Sequence, residues 1–343
     1  MVIEGRYLDE ILRKLYGELS KSTDTFEASK GKGQDLLGQK VVLKDPRARI
    51  SATATRGMLI SALAEFCWYM SGSADLDFIR FYLKDYPPKD ATGSLQEAYG
   101  PRLKGTGEFG YNIDQINRVI EKLRKKPDTR RAAITLLESS DLEPSQKEAP
   151  CTIGLQFIRR RERLHLVAMM RSNDAYLGFP HDVFCFTMIQ ELVARSLGIR
   201  VGDYHHFATS LHLYEDDQDS VADYLGEGFQ NPVFAMPKMP SGCQMENLAA
   251  FLEVERAIRQ GEIADARQIS LAPYWRDLSL VLLRCADSRY KRGTKVREDN
   301  FAQIGDPFYR NFFIKRPKVL PKGEAKIMVQ DNLDLGDEQS NAN

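Results

Sequence analysis

The stretch from residue 149 to residue 214 constrains the fold of this chain most tightly. Ile153 to Arg159 and Leu164 to Met170 are β-type runs set around Arg160-Arg161-Glu162-Arg163, which predicts a hairpin. Asp182 then precedes a largely apolar segment, Val183 to Leu197, closed by Gly198, the pattern of a buried helix with a stop signal. Val201 to Tyr214 is strand-like again. The flanking sequence extends the pattern. Tyr7, Leu8, Ile11, Leu12 and Leu15 recur with helical spacing between Arg6 and Tyr16, and Val41-Val42-Leu43 is β-like. Residues 57 to 70 read as an apolar, buried helix. Asn112 to Lys126 reads as an amphipathic one, with Ile113, Ile116, Val119, Ile120 and Leu123 on its stripe and Pro127 at its end. A strand over Ala132 to Leu137 and helices over Met245 to Arg259 and Trp275 to Tyr290 follow. Strands mixed with separate long helices predict an α+β fold.

A chain of 343 residues, 43% apolar and 28% charged, can bury a sizeable core without disulfides or a structural metal. Its formal net charge is zero, so no general electrostatic grip on nucleic acid or on an anionic membrane is expected. An anionic ligand must be held by a local cluster of arginines. The five cysteines are scattered, with no CxxC pair and no Cys/His spacing suited to zinc. That pattern predicts no metal and a reducing, cytoplasmic setting. An apolar signal segment is missing from the N-terminus, and no run approaches the roughly 18 apolar residues that span a bilayer. Asp331 to Asn343 is polar and acidic, the composition of a disordered tail.

Several residues carry chemistry. Glu65 lies inside the apolar helix, where ionisation is costly, so its pKa is expected to rise toward a proton shuttle's range. The alternative is a helix face that reaches solvent at that one position. Ser29-Lys30-Gly31-Lys32-Gly33-Gln34 is either a mobile surface loop or one that folds over a phosphate. Tyr99-Gly100-Pro101-Arg102 reads as a turn beside a pocket, and Arg130-Arg131 as solvated surface or a bidentate phosphate grip. Cys151, after Ala149-Pro150, is a small buried hydrophobe or, with Arg171 to lower its pKa, a nucleophilic thiolate.

Taken together, Ala149-Pro150-Cys151, Gln156-Phe157, Arg171-Ser172-x-Asp174, Leu177-Gly178-x-Pro180, Gly202-Asp203 and His212-Leu213-Tyr214 resemble the ordered motifs of the thymidylate synthase family. Glu65, Tyr99-Gly100 and Asp128-x-Arg130-Arg131 fall in the same order upstream. The likeness is strongest from about residue 50 to 220 and is lost after about 230. It implies a mixed sheet with packed helices and a homodimer formed through the sheet face. The implied catalytic domain covers residues 1–230, with a divergent, mainly helical part over 231–325 packed on it and a flexible tail over 326–343. By the same resemblance Cys151 would attack C6 of a pyrimidine nucleotide, so that C5 takes up the one-carbon unit of methylenetetrahydrofolate as co-substrate. Arg171 and Ser172 would hold the 5′-phosphate, with Arg130 and Arg131 supplied from across the dimer. His212 and Tyr214 would hold a sugar hydroxyl, Asp174 would contact folate, and Glu65 and Tyr99 would manage protons through ordered water. Gly31 to Gly33 falls at the family's phosphate-covering loop.

The departures matter as much. The family's methylating members read Pro-Phe-Asn where this chain has Pro180-His181-Asp182. A carboxyl accepts from the cytosine amino group and, protonated, donates to N3. Asp182 therefore favours cytosine, as in the hydroxymethylating branch, although Asp before an apolar helix is also a standard N-cap worth about 1 kcal/mol. Thr152 and Met170 replace the family's His and Gln, and the tryptophans expected between residues 80 and 95 are missing, because the chain has only Trp68 and Trp275. A less shielded pocket would let water add to the one-carbon unit. The resemblance thus implies hydroxymethylation of a cytidine monophosphate, dCMP before CMP. Thymidylate synthesis from dUMP and a non-catalytic nucleotide-binding role are the alternatives.

Overall fold

The computed structural model describes residues 2–28, 30–51, 58–86, 92–144, 148–227 and 235–313. The tail expected over 326–343 lies outside them. Strand β1 (Val2–Gly5) leads into α1 (Leu8–Leu19), whose Leu8, Ile11, Leu12, Leu15 and Leu19 are all buried on one side. Strands β2 (Thr25–Ala28) and β3 (Gly31–Leu43) pair as an antiparallel hairpin. The segment read as a glycine-bearing loop is therefore mostly strand. Gly33 is there because the Leu213 carbonyl would lie 2.1 Å from any Cβ. Composition suggested a loop; the close approach of two backbones explains the glycine.

Helix α2 (Leu59–Ser71) is buried almost all round, and α3 (Leu76–Tyr82) and α4 (Tyr99–Lys104) follow it. Residues 99–102 are thus the opening of a short helix rather than a turn. Arg102 anchors that helix from inside, with both guanidinium nitrogens on Asp141 at 2.7 and 2.6 Å and a further bond to the Leu136 carbonyl at 2.6 Å. Helix α5 (Gln115–Lys125) is capped by Asp114, which leaves Ile113 outside the helix and 59% exposed instead of on its apolar stripe. The strand after it, β4 (Ala133–Thr135), is shorter than expected.

The hairpin forms as β5 (Thr152–Arg160) and β6 (Arg163–Met170), with Arg161 and Glu162 at φ 46° and 58° in its tight turn. A two-residue strand, β7 (Asn173–Asp174), precedes α6 (Gly178–Ser196), and β8 (Arg200–Tyr214) runs back through the sheet. Helix α6 starts five positions before Val183, since Pro180 in the first turn needs no N–H partner. Asp182 is consequently a full turn inside the helix, and the N-cap reading of it falls. The turn into α6 is held by Asp174, whose Oδ1 accepts the N–H of Tyr176 at 2.8 Å and of Leu177 at 3.2 Å.

The sheet runs β1-β3-β8-β6-β5-β4, with β2 paired to β3 and β7 to β8. The β1–β3 and β6–β8 pairs are parallel and the β3–β8, β5–β6 and β4–β5 pairs antiparallel, a mixed sheet. Tyr204, His206 and Ala208 of β8 point into the helical side, while Asp203, His205, Phe207 and Thr209 alternate onto the opposite face. After α7 (Gln218–Gly226), helices α8 (Met245–Arg259), α9 (Pro273–Arg289), α10 (Thr294–Ala302) and α11 (Pro307–Phe313) complete the helical side, with α8 and α9 contacting α2. One contiguous apolar core includes α1, α2, α6, α8 and α9. The buried pair Arg49–Glu191, with Glu191 Oε1 also accepting the Met239 N–H at 3.0 Å, ties the loop after β3 to α6 and to the chain beyond residue 235.

Candidate active site

The candidate residues meet where the starts of β5, β7 and α6 face α2 and α4. Cys151 is half-buried just before β5, and its carbonyl accepts the Arg171 N–H at 2.9 Å, so the hairpin ends hold thiol and arginine together. Arg171 donates to the carbonyls of Pro150 at 3.0 Å and Ala149 at 2.7 Å, and no carboxylate pairs with it among the described residues. Its guanidinium is exposed and oriented, with donors left for an anion. Ser172 follows, half-buried.

Arg171 draws the Cys151 pKa down, the direction expected from the sequence, but burial outweighs it. Burial pushes the Cys151 thiol up, Arg171 and Lys30 draw it down, and Asp182 pushes it up again; the net direction is up. The attraction of Lys30 places the tip of the β2–β3 hairpin near the thiol.

Tyr99 accepts the N–H of Thr152 at 3.1 Å and its hydroxyl at 2.9 Å, while Thr152 Oγ1 lies 3.0 Å from the Met170 sulfur. The two unusual residues thus form a small unit behind the tyrosine. Burial, Asp182 and Cys151 all raise the pKa of Tyr99, so its proton stays on oxygen. Glu65 is 8% exposed and accepts from Tyr69, one turn along α2, at 2.8 Å. A solvent-facing accident of the helix is therefore ruled out.

Asp182 is 8% exposed, and burial, then the neighbouring Glu65, raise its pKa well above its ordinary value. Asn173 Nδ2 donates to its Oδ2 at 2.8 Å, which pulls the other way. Asp182 is an electrostatic neighbour of Tyr69, Tyr86, Tyr99, Cys151 and Tyr204, so these groups surround one centre. His212 and Tyr214 close the far side with Phe26 against them at 5.1 and 5.6 Å between ring centroids. Burial lowers the His212 pKa, leaving a neutral imidazole suited to a hydroxyl. Asp174 spends Oδ1 on its turn; Oδ2 has no hydrogen-bond partner among the described residues, which suits a donor on folate.

Arg130 and Arg131 are not brought to this pocket. The Arg130 carbonyl accepts Gln156 Nε2 at 2.9 Å, five residues along β5 from Cys151, a run of about 16 Å at ~3.3 Å per residue. Both side chains are exposed.

Sequence reasoning missed Tyr69, Tyr86, Asn173, His181 and Ser61. Tyr69 could have been found, since i and i+4 share a helix face. Tyr86 stands in the region read as lacking an aromatic wall; its ring packs edge-on to Trp68 at 5.4 Å, and Glu65 and Asp182 both act on its hydroxyl. The wall is therefore aromatic but carries a hydroxyl; residues 87–91 of that region lie outside the described ones. His181 Nδ1 lies 2.8 Å from the Leu177 carbonyl and Nε2 2.9 Å from Ser61 Oγ, joining α6 to α2. Elsewhere, His165, Asp203 and His205 cluster on the sheet's other face, but Asp203 pairs with Lys44 and donates its N–H to His165 Nδ1, which accounts for the grouping.

A family model described as thymidylate synthase matches residues 35–252. The chain belongs to the thymidylate synthase family. That match continues past residue 230, where the sequence motifs stop being recognisable. A thymidylate synthase of Symbiobacterium thermophilum is 29% identical over 237 residues, 64% of this chain and 83% of that protein. A deoxyuridylate hydroxymethyltransferase of Bacillus phage SP01 is 34% identical over 165 residues, 45% of this chain and 43% of that protein. Another, of Delftia phage PhiW-14, is 29% identical over 229 residues, 62% of each. The chain thus spans less than two thirds of the length of either phage protein. The family consists of one-carbon transferases that use methylenetetrahydrofolate. No helix among the described residues is long and apolar enough to cross a membrane.

Proposed function

We propose that this enzyme hydroxymethylates C5 of a cytidine monophosphate, dCMP in preference to CMP. The observation that carries the reading is Asp182: a buried carboxyl, its pKa raised by burial and by Glu65 toward the neutral form, among the groups around Cys151. A neutral carboxyl offers the donor that cytosine N3 needs and an acceptor for the C4 amino group. Proton donation at N3 draws electrons from C6 and prepares it for the thiol.

Arg171 and Ser172 hold the 5′-phosphate, with Arg130 and Arg131 contributed by a second copy, and His212 and Tyr214 hold the sugar. Cys151 Sγ bonds to C6 while its proton leaves by way of the Tyr99 and Glu65 side; the electron pair moves to C5. Methylenetetrahydrofolate, against Asp174, supplies the one-carbon unit that C5 takes up. Loss of the C5 proton toward Glu65 frees tetrahydrofolate, water adds at the exocyclic carbon, and Cys151 is expelled as C5=C6 re-forms. No hydride is consumed, so the sequence is redox-neutral. The Tyr86 and Tyr69 hydroxyls beside Glu65 support a water in this pocket, where a purely apolar wall would exclude one.

The names of the phage relatives favour a second reading, hydroxymethylation of dUMP. Mass spectrometry of reactions with methylenetetrahydrofolate and, in parallel, dCMP, CMP, dUMP and UMP separates the readings. A hydroxymethyl group on a cytosine nucleotide is the expected product. A hydroxymethyl group on dUMP moves the enzyme to the second reading, and a methyl group on dUMP returns it to thymidylate synthesis. Nucleotide binding with no product from any of the four leaves a binding role.

A further inference from the structure

A neutral carboxyl does not by itself discriminate between the two bases. It is donor and acceptor at once, and by moving its proton from one oxygen to the other it can face either cytosine N3 or uracil N3–H. Something must fix the proton. We propose that Asn173 is the residue that sets base choice, by dictating which oxygen of Asp182 is protonated; this rests on reading Asp182 as the base-contacting group. Asn173 Nδ2 donates to Asp182 Oδ2 at 2.8 Å, so Oδ2 is an acceptor and the proton belongs on Oδ1. Asp182 Oδ1 has no hydrogen-bond partner among the described residues and is free for a ligand.

The amide is held in place. Asn173 is 3% exposed, lies in β7 with its backbone paired opposite Leu211 of β8, and packs against Gly178, where a Cβ would come 3.2 Å from Nδ2. Its own Oδ1 is buried with no partner among the described residues, so Asp182 is the group that orients the amide. With the proton on Oδ1, N3 of cytosine accepts from it and the amino group donates to the second lone pair of Oδ2. Uracil would set N3–H against O–H, and its C4 carbonyl against an acceptor. Asn173 is thus a positioning residue acting through Asp182. Its hydrogen bond also draws the Asp182 pKa down, against burial.

The test is kcat/KM for dCMP and dUMP across pH in wild type, Asn173→Ala and Asn173→Asp. Asn173→Ala should lower the dCMP:dUMP ratio by roughly tenfold or more, because the proton is no longer fixed. The alkaline limb of its dCMP profile should move to higher pH, a change that loosened packing alone would not give. Asn173→Asp is nearly isosteric and carries the test if the alanine variant does not fold. Its carboxylate can only accept, so the Asp182 proton moves to Oδ2 to donate to it, Oδ1 is left an acceptor, and preference turns toward dUMP. A wild-type enzyme inactive on cytosine nucleotides defeats the reading of Asp182 itself. A wild-type preference for dCMP that survives unchanged in both folded variants overturns the role of Asn173 alone.

Discussion

Asp182 and Cys151 are each governed by burial, with opposite consequences for what the site needs. Burial raises the pKa of Asp182, favouring the neutral form that the proposed contact with N3 needs, while for Cys151 it opposes the thiolate that the proposed attack on C6 needs. Attack therefore has to follow substrate binding, when a proton acceptor is engaged. Cys151→Ala should abolish turnover yet leave nucleotide affinity within a few-fold of wild type, checked by product assay and titration calorimetry, since phosphate and sugar contacts lie on other residues. Asp182→Asn should move preference from cytosine to uracil nucleotides and remove the alkaline limb of the wild-type profile. That limb arises because the raised pKa leaves the active neutral form intact at low pH and loses it as pH rises through the folded value. Stability follows the same sign. The contribution of Asp182 is fully present below the unfolded carboxyl pKa of about 3.9 and is lost as pH rises through the folded one. Asparagine has no proton to lose, so the Tm of Asp182→Asn relative to wild type should increase with pH, read by calorimetry at several pH values. An unchanged difference would mean Asp182 is ionised in the fold.

At the scale of elements, strand and helix types were legible where periodicity was strong, as in α1, α8 and the β5–β6 hairpin. Boundaries failed where one residue type serves two purposes. Gly33 reads as loop punctuation but is required by the backbone of β8, and Asp182 reads as an N-cap but follows a helix start at Gly178, where Pro180 is accepted in the first turn. Of the candidate site, Cys151, Glu65 and Asp182 were visible because burial or company made them odd. Asn173, Ser61 and His181 were not, since each matters through a partner brought from another element. The Ser61–His181 bond shows what such contacts do. The Leu177 carbonyl can only accept, so His181 donates from Nδ1, and its Nε2, 2.9 Å from the Ser61 hydroxyl, joins the helix of Glu65 to that of Asp182. Ser61→Ala should cost about 1 kcal/mol in urea unfolding. It should also lower kcat more than it raises KM, because the two carboxyls lose their mutual register while the phosphate grip is untouched.

At the scale of the molecule, the helices among the described residues cover the sheet on one side only. On the other side Phe207 is 41% exposed at the middle of the sheet, flanked by Lys40 on β3 and Met169 on β6. Val167 and Ile158 extend this face, half-buried. These apolar side chains stand among polar ones, Lys40, Asp203, His205 and Thr209, the mix of a face that a partner could cover. On the proposed reading a second copy covers this face and also accounts for Arg130 and Arg131, which are exposed yet remote from the thiol of their own chain. Placing Glu at Phe207 sets a charge where the two faces would meet, and its desolvation would not be repaid. Because Phe207 points away from the helical core, the subunit should keep its fold. Phe207→Glu should therefore elute as a monomer in light-scattering chromatography, with near-wild-type circular dichroism and turnover reduced by orders of magnitude. Its residual nucleotide binding should resemble that of an Arg130→Ala, Arg131→Ala double variant, since both lose the same two guanidinium groups. A monomeric Phe207→Glu protein with full activity would mean that each subunit holds its phosphate alone and that the arginine pair belongs to the surface.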